Sequence, residues 1–349
     1  MTAAEGRALR RDLLRALLDE RGLDAIVLRL AANFAWYTGG ADRRVDRASP
    51  LGVADIVITR DAELVLTSSI EAPRMRAEQT PDLEVAEYTW YEGPEAVLGE
   101  LTGCRRIGSD VELKLAAPIG DAVAALRRRL DPDAVERLRL VGRDAVEAVE
   151  QAAGSVVSGM PETDAAALLA ASCRERDLWA PVLLVATDER IRAHRHPIPG
   201  PSAIERRAML VVSAERGGLY ANVTRMVHLD DPDPEIERRQ AICDEILVRM
   251  REDVTTPGRT LSEAFADCAR LYAEAGFPGE ERRHHQGGLT GYASRELIAT
   301  PRTDVRIEPG NAFAWNPSIT GAKAEETFVL LDTGPEIVTP VAVRAAREL

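Results

Sequence analysis

The sequence predicts two domains, a smaller α/β unit over residues 1–132 followed by a larger α+β unit over residues 133–349. Three observations predict this. A chain of 349 residues is long for one hydrophobic core, since about 150 residues per domain is usual. Its first third alternates helical and short apolar strand-like runs, whereas its remainder opens on long helical stretches and turns β-rich from Ala312. Between the two, Leu130-Asp-Pro-Asp133 gathers the proline and polar residues of a boundary.

The charged opening segment reads as a helix ending near Gly22, and Asp24 to Leu30 has the short, bounded apolar look of a strand. Asn33-Phe-Ala-Trp-Tyr-Thr-Gly-Gly40 follows as a turn-rich polar and aromatic segment. Ala54 to Thr59, Glu63 to Thr67 and Leu83 to Thr89 are further strand candidates, and Pro94 to Leu101 is an acidic helix. The second unit begins with an amphipathic helix, Val135 to Gly159, in which Leu138, Val141, Val146, Val149 and Ala152 fall at helical spacing. Thr163 to Arg176 forms the next helix, with Thr163 as its cap, and Val182 to Ala186 a strand. A strand pair, Met209 to Ser213 with Gly218 to Val227, precedes helices near Pro234 to Arg251 and Leu261 to Ala275.

Composition excludes several functions. A net charge of −13 opposes binding to phosphate backbones, which draws on clustered cations releasing counterions. Nucleic acid is therefore not an expected partner, and neither is a membrane, because no segment offers about 18 uninterrupted apolar residues. The start of the chain lacks the apolar core and cleavage site of a signal peptide, so a cytoplasmic protein is expected. The four cysteines lie far apart without metal-ligand spacing and are expected as buried, reduced thiols. Of 44 basic residues only Lys114 and Lys323 are lysine. That Arg bias reflects base composition and makes each lysine more noticeable.

Four segments of the second unit carry the residues that could do chemistry: Ala193-His-Arg-His-Pro197, Tyr220 to Arg225, His284 to Glu296, and Trp315 to Thr327. They hold His194, His196, His284 and His285, four of the five histidines in the chain. Histidine titrates closest to neutrality, so a few clustered histidines on Gly- and Pro-bearing turns suit proton transfer better than ordinary surface positions. Arg225 and Arg295 are each either strand ties or bidentate clamps for a substrate carboxylate. Lys323 lies two residues before Glu325, so on a strand both would face one side. Tyr292, Phe313 and Trp315 read as core or as pocket lining.

In order and spacing these segments resemble the creatinase, prolidase and methionine aminopeptidase superfamily, over nearly the whole length from Asn33-Phe-Ala-Trp-Tyr-Thr-Gly39 to Glu325-Glu-Thr327. The resemblance implies a creatinase-like α/β N-terminal domain followed by an α+β pita-bread catalytic domain, and a homodimer in which the segment at Trp36 and Tyr37 reaches toward the partner's site. In the metal-dependent members two Asp, a His and two Glu hold two divalent ions, which together bind and acidify the attacking water. Here the first Asp falls near Val211 to Ser213, where no carboxylate stands, and the second on Asn222. Asn316-Pro317 replaces the Glu-Pro pair, leaving the family His as His284 or His285 and the last Glu as Glu325, with Glu326 beside it. Three of four carboxylates are neutral or absent, so neither a metal nor another cofactor is expected.

The segment from His284 to Glu296 is more similar to creatinase, which works without metal: Gly287 and Arg295-Glu296 fall in step with it when His284 is the family histidine. Creatinase also carries a catalytic His in an Ala-His-x-Pro context, which points to His196 beside Pro197. The positions of its guanidinium-gripping carboxylates fall at about Thr224 and Asn316, so creatine itself does not fit.

The expected function is metal-independent hydrolysis of a C–N bond in a small nitrogenous amidine, amide or amino-acid derivative. His196, His284, Glu325 and Glu326 would be catalytic, with His194, Arg225, His285, Tyr292, Arg295, Asn316 and Lys323 around the substrate. The competing readings are a metal-dependent Xaa-Pro-type aminopeptidase or dipeptidase, a non-catalytic pita-bread peptide- or protein-binding module like the histone-chaperone relatives, and a lyase or isomerase using the same residues.

Overall fold

A computed structural model describes residues 3–103, 106–114, 116–231 and 233–340. The chain divides into two compact units, Met1–Ala134 and Val135–Leu349.

In the first unit α1 (Ala3–Arg21) buries Leu14 and Leu18 against a six-stranded mixed sheet. The sheet is built from β1 (Ala25–Leu30), β2 (Leu51–Thr59), β3 (Glu63–Ser68), β4 (Glu84–Tyr88), β5 (Ile107–Ser109) and β6 (Ala116–Pro118), in the order β4-β3-β2-β1-β5-β6. β1 lies at its centre, antiparallel to β2 and parallel to β5, which suits its continuous apolar run.

One expectation fails here. The segment from Asn33 to Gly40 is not a turn-rich loop but α2 (Ala31–Thr38), closed by Gly39 in the left-handed region at φ 78°. Burial outweighs the local turn chemistry: Phe34, Trp36 and Tyr37 pack inward, and the Asn33 side chain is held between Asp110 and Arg127. Trp36 and Tyr37 are therefore core residues of this unit, while the aromatics it exposes are Trp90 and Tyr91.

A 23-residue helix, α3 (Pro132–Gly154), begins three residues before the second unit and buries Leu138, Val141, Ala145 and Val149 on its inner face. Next comes α4 (Glu162–Glu175), capped at Pro161 rather than Thr163. The buried Glu162 carboxylate instead accepts from the amides of Thr187 and Gly200 and pairs with Arg190, tying the helix to the strand and loop beyond it. β7 (Trp179–Thr187), β8 (Arg207–Arg216) and β9 (Leu219–His228) make a three-stranded antiparallel sheet in the order β9-β8-β7, with α5 (Asp188–Ala193) after β7.

Two helices follow. α6 (Pro234–Arg249) is capped by Asp233 and runs on into a π turn, Met250–Val254, and α7 (Leu261–Glu274) starts on a capping box between Thr260 and Glu263. Their apolar faces cover a five-stranded antiparallel sheet through a cluster that includes Met250, Leu261, Leu271, Leu289, Phe313, Trp315 and Phe328. Its strands are β10 (Gly287–Thr290), β11 (Leu297–Ile298), β12 (Ala312–Trp315), β13 (Glu326–Leu331) and β14 (Gly334–Ile337), ordered β11-β10-β12-β13-β14.

β9 meets the start of β13, where the Asn222 amide donates to the Thr327 hydroxyl and that hydroxyl donates to the Asn222 carbonyl. The α/β then α+β order expected from the sequence describes this architecture. Cys173, Cys243 and Cys268 are buried and unpaired, and burial raises their thiols to about 11, 12 and 12; Cys104 lies outside the described residues.

Candidate active site

Gly287 and Gly288 explain how the histidine segment enters its sheet. Both take positive φ, and a Cβ on either would stand 2.0 Å from the Ala314 carbonyl oxygen or 2.2 Å from that of Leu297. β10 can thus lie tightly between β11 and β12 only with glycine at these positions, and its lead-in places His284 and His285 at the sheet end. His196 arrives from the loop after α5.

The three rings form one cluster. His284 Nε2 lies 2.9 Å from His196 Nε2, with the rings edge to face, and His285 stacks on His284 at 4.5 Å between centroids. His284 is 7% exposed; burial first, then Lys323 and the neighbouring rings, lowers its pKa to about 2. His285 is lowered to about 4 by burial and Arg295, and His196 is lowered by partial desolvation and Lys323. All three are neutral at pH 7. Two neutral imidazoles share two N–H protons, one of which lies between the two Nε2 atoms, so one of the two Nδ1 atoms stays basic whichever ring donates.

Beside the cluster is a cavity of about 250 Å³. One wall is apolar, formed by Val182, Leu184 and Val211 from β7 and β8. The other is polar and presents His196, His285, Arg295, Asn316, Lys323 and Glu325. Among the described residues Glu325 is the sole carboxylate on it. Its two oxygens accept from Thr224 Oγ1 at 2.7 Å and Arg295 Nη2 at 2.8 Å and pair with Lys323 Nζ at 3.2 Å. Burial pushes the Glu325 carboxyl up, but Lys323 and Arg295 outweigh it and hold the group at about 2.

A chain of neutral side chains completes the polar wall. Ser213 Oγ donates to Ser294 Oγ at 2.8 Å, Ser294 Oγ to Asn222 Oδ1 at 3.1 Å, and Asn222 Nδ2 to Thr290 Oγ1 at 3.4 Å. Asn316 is buried and its Oδ1 has no partner; the same holds for Arg295 Nε.

The sequence profile of "Metallopeptidase family M24" matches residues 136–335, and that of "Creatinase/Prolidase N-terminal domain" matches residues 10–134. The chain belongs to metallopeptidase family M24. That membership places it among the M24-type hydrolases. No curated protein sequence matches it significantly.

Among solved structures the M24 protein is similar to the X-Pro aminopeptidase of Thermotoga maritima MSB8, with 21% identity, TM-score 0.79, and 95% of this chain and 98% of that one covered. The prolidase of Pyrococcus furiosus is 18% identical with TM-score 0.77, covering 94% and 99%. The N-terminal domain of the FACT complex subunit SPT16 from Cicer arietinum is 12% identical with TM-score 0.74, covering 97% of each. Likeness at these identities establishes the shared fold.

The family name implies metal, and the donor set of this M24 protein does not suit a pair of ions. Ser213 and Asn222 spend their side chains on Ser294 and Thr290, and Glu325 is already neutralised by two cations. Two dications need several free anionic oxygens between them. The one metal-compatible group among the described residues is the histidine cluster, whose ring nitrogens lie within 4.8 Å of one another.

Of the residues singled out from sequence, His196, His285, Arg295, Asn316, Lys323 and Glu325 line the cavity, and His284 backs it through His196. The other four stand away from it. Arg225 sits on the opposite face of β9, paired with Glu150. Glu326 turns away to Arg251 from the π turn, with burial raising its pKa. Tyr292 accepts from Arg137 Nη2 at 2.7 Å. His194 caps α5 at the surface, in a small crevice that also touches His284 and Lys323. Sequence reasoning missed Thr224 and Ser294 as partners of the site. Strand alternation carries the signal: with Asn222 inward on β9, Thr224 is inward and Arg225 is not.

Proposed function

We propose that this protein hydrolyses a C–N bond in a small nitrogenous, carboxylate-bearing substrate, with the His196–His284 pair as its proton-transfer centre. The observation that carries the reading is the 2.9 Å contact between the two Nε2 atoms at the edge of a 250 Å³ cavity. The basic nitrogen left on the pair takes a proton from water as its oxygen attacks, and the pair returns a proton to the leaving nitrogen. Glu325 supports the imidazolium formed in between, while Arg295 and Lys323 attract the substrate's anionic end. His285 and Asn316 contribute the remaining polar contacts, and Val182, Leu184 and Val211 exclude water from the apolar side.

The neutral Ser213–Ser294–Asn222–Thr290 chain supports metal-independent chemistry. A second reading is a single divalent ion held by His196, His284 and His285, favoured by their mutual ring-nitrogen distances. Elemental analysis of the purified protein separates the two: one equivalent of transition metal, lost together with activity on chelation, replaces the first reading by the second. A cytoplasmic homodimer remains part of the proposal, checked by light scattering. Among the described residues no helix is long and apolar enough to cross a membrane.

A further inference from the structure

We propose that the cavity selects amino acids whose amine is blocked by an acyl group, N-acyl amino acids, over dipeptides with a free amine. This rests on the reading of the cavity as a C–N hydrolase site and names its substrate class.

Formal charge comes first. The charged side chains on the cavity wall are Arg295, Lys323 and Glu325, two cations and one anion, beside neutral histidines. A bound carboxylate brings that sum to zero, whereas the ammonium of a free dipeptide would add a third cation in a partly desolvated space. Glu325 offers the ammonium little, because its charge is already compensated by Arg295 and Lys323 and its oxygens also meet Thr224. Asn222, where the family's peptidases place a carboxylate, is spent on Ser294 and Thr290.

The unpartnered atoms point the same way. Asn316 is 2% exposed and lines the cavity, and its Oδ1 has no donor; Arg295 Nε, on the same wall, has no acceptor. A buried polar atom left without a partner is costly, so each calls for a ligand group. An N-acyl amino acid supplies both, an amide N–H for Asn316 Oδ1 and a carboxylate for Arg295, with a neutral amide where a dipeptide carries its charge. Its hydrocarbon part faces Val182, Leu184 and Val211. In the reaction the water oxygen bonds to the acyl carbon as the C–N bond breaks. One water proton passes through the histidine pair to the leaving nitrogen, giving a carboxylic acid and a free amino acid.

The test uses the protein as purified with three matched probe sets built on glycine, alanine and leucine: the N-acetyl amino acid, the alanyl dipeptide, and the N-acetyl amino-acid amide. Calorimetry reads binding and chromatography reads release of the amino acid. At least one N-acetyl amino acid is expected to bind 10-fold or more tighter than both its dipeptide and its amide. Arg295→Gln should erase the preference over the amide, and Asn316→Asp should bring the dipeptide at least 10-fold closer. Equal or tighter binding of the dipeptides, or no binding of any N-acetyl amino acid at millimolar concentration, overturns the inference. His196→Ala separates this from the catalytic reading. If release persists in that variant, the catalytic role falls while the selectivity stands; if dipeptides alone bind and their cleavage needs His196, the selectivity falls while the catalytic role stands.

Discussion

His284 Nε2 and His196 Nε2 stand 2.9 Å apart, although the two residues are separated by most of the three-stranded sheet and two helices in sequence. A hydrogen bond between two rings this close makes them one titrating and one proton-transferring unit. Replacing either by alanine is expected to lower kcat by about 10²–10⁴, the usual contribution of positioned acid/base groups. The double variant should lose little more than either single one, because parts of one unit are not additive. Single and double kcat measurements on one hydrolysed substrate check this; additive losses would break the pair into independent residues.

The depressed histidines have a pH consequence for stability. In the unfolded chain each titrates near 6.5, but in the folded protein His284 is lowered to about 2 and His285 to about 4. Between those limits the unfolded state binds more protons, so stability falls as pH falls from about 6.5 toward 4. Glu325, held at about 2, adds a loss in the same direction below about 4.5. One such proton on the His196–His284 pair should account for about 2 kcal/mol between neutrality and pH 5, from about 1.4 kcal/mol per pH unit per proton. Urea midpoints at pH 7 and pH 5 test this, and His284→Gln should flatten the difference.

Two adjacent glutamates can be told apart experimentally. Glu325→Gln leaves Lys323 and Arg295 buried without their anion, and removing one member of such a buried set costs about 3–5 kcal/mol. It should also cut turnover in the fraction that folds. Glu326→Gln strips Arg251 of a buried partner and should destabilise, yet leave kcat of the folded protein within about twofold, because it faces away from the cavity. Equal loss of kcat in both variants would return Glu326 to the site.

That pair also shows how far the sequence could be read. The motif order picked out the histidines and Glu325 that the structure brings together, because each is a residue type whose chemistry needs that spacing. It could not separate Glu325 from Glu326, or place Arg225, without knowing which face of a strand looks inward. Adjacent residues on a strand face opposite ways, so a single inward anchor, Asn222 on β9, would have sent Thr224 in and Arg225 out. The partners Glu150, Arg251 and Arg137 were illegible for another reason: each meets its residue only through tertiary packing. α2 was misread because its turn-like residues gain more from burying Phe34, Trp36 and Tyr37 than from local turn chemistry.

Metal content offers a direct check on the neutral wall. The protein should copurify with far less than two equivalents of divalent metal and keep its activity after dialysis against a chelator. Asn222 and Asn316 stand where the resemblance to the metal-dependent members implies carboxylates, so the double variant Asn222→Asp, Asn316→Glu should raise manganese affinity at least 10-fold in calorimetry, through added anionic donors. Unchanged affinity would show that Lys323 and Arg295, rather than the missing carboxylates, keep cations out.

Gly142 makes the last expectation independent of the chemistry. It sits inside α3, where alanine normally favours a helix by up to about 1 kcal/mol. Here, however, a Cβ would stand 2.1 Å from the Val338 carbonyl oxygen and 2.7 Å from its carbonyl carbon, both backbone atoms that no rotamer can move aside. The helix and the segment after β14 would have to separate, and strain of that kind costs about 1–3 kcal/mol. Gly142→Ala should therefore destabilise the second unit, with the loss read as a lower urea midpoint at unchanged slope. Gly154, at the end of the same helix, has nothing within 4 Å of its would-be Cβ, so Gly154→Ala should not share the loss. Equal midpoints for the two variants would mean that the close approach of Val338 to α3 does not exist in solution.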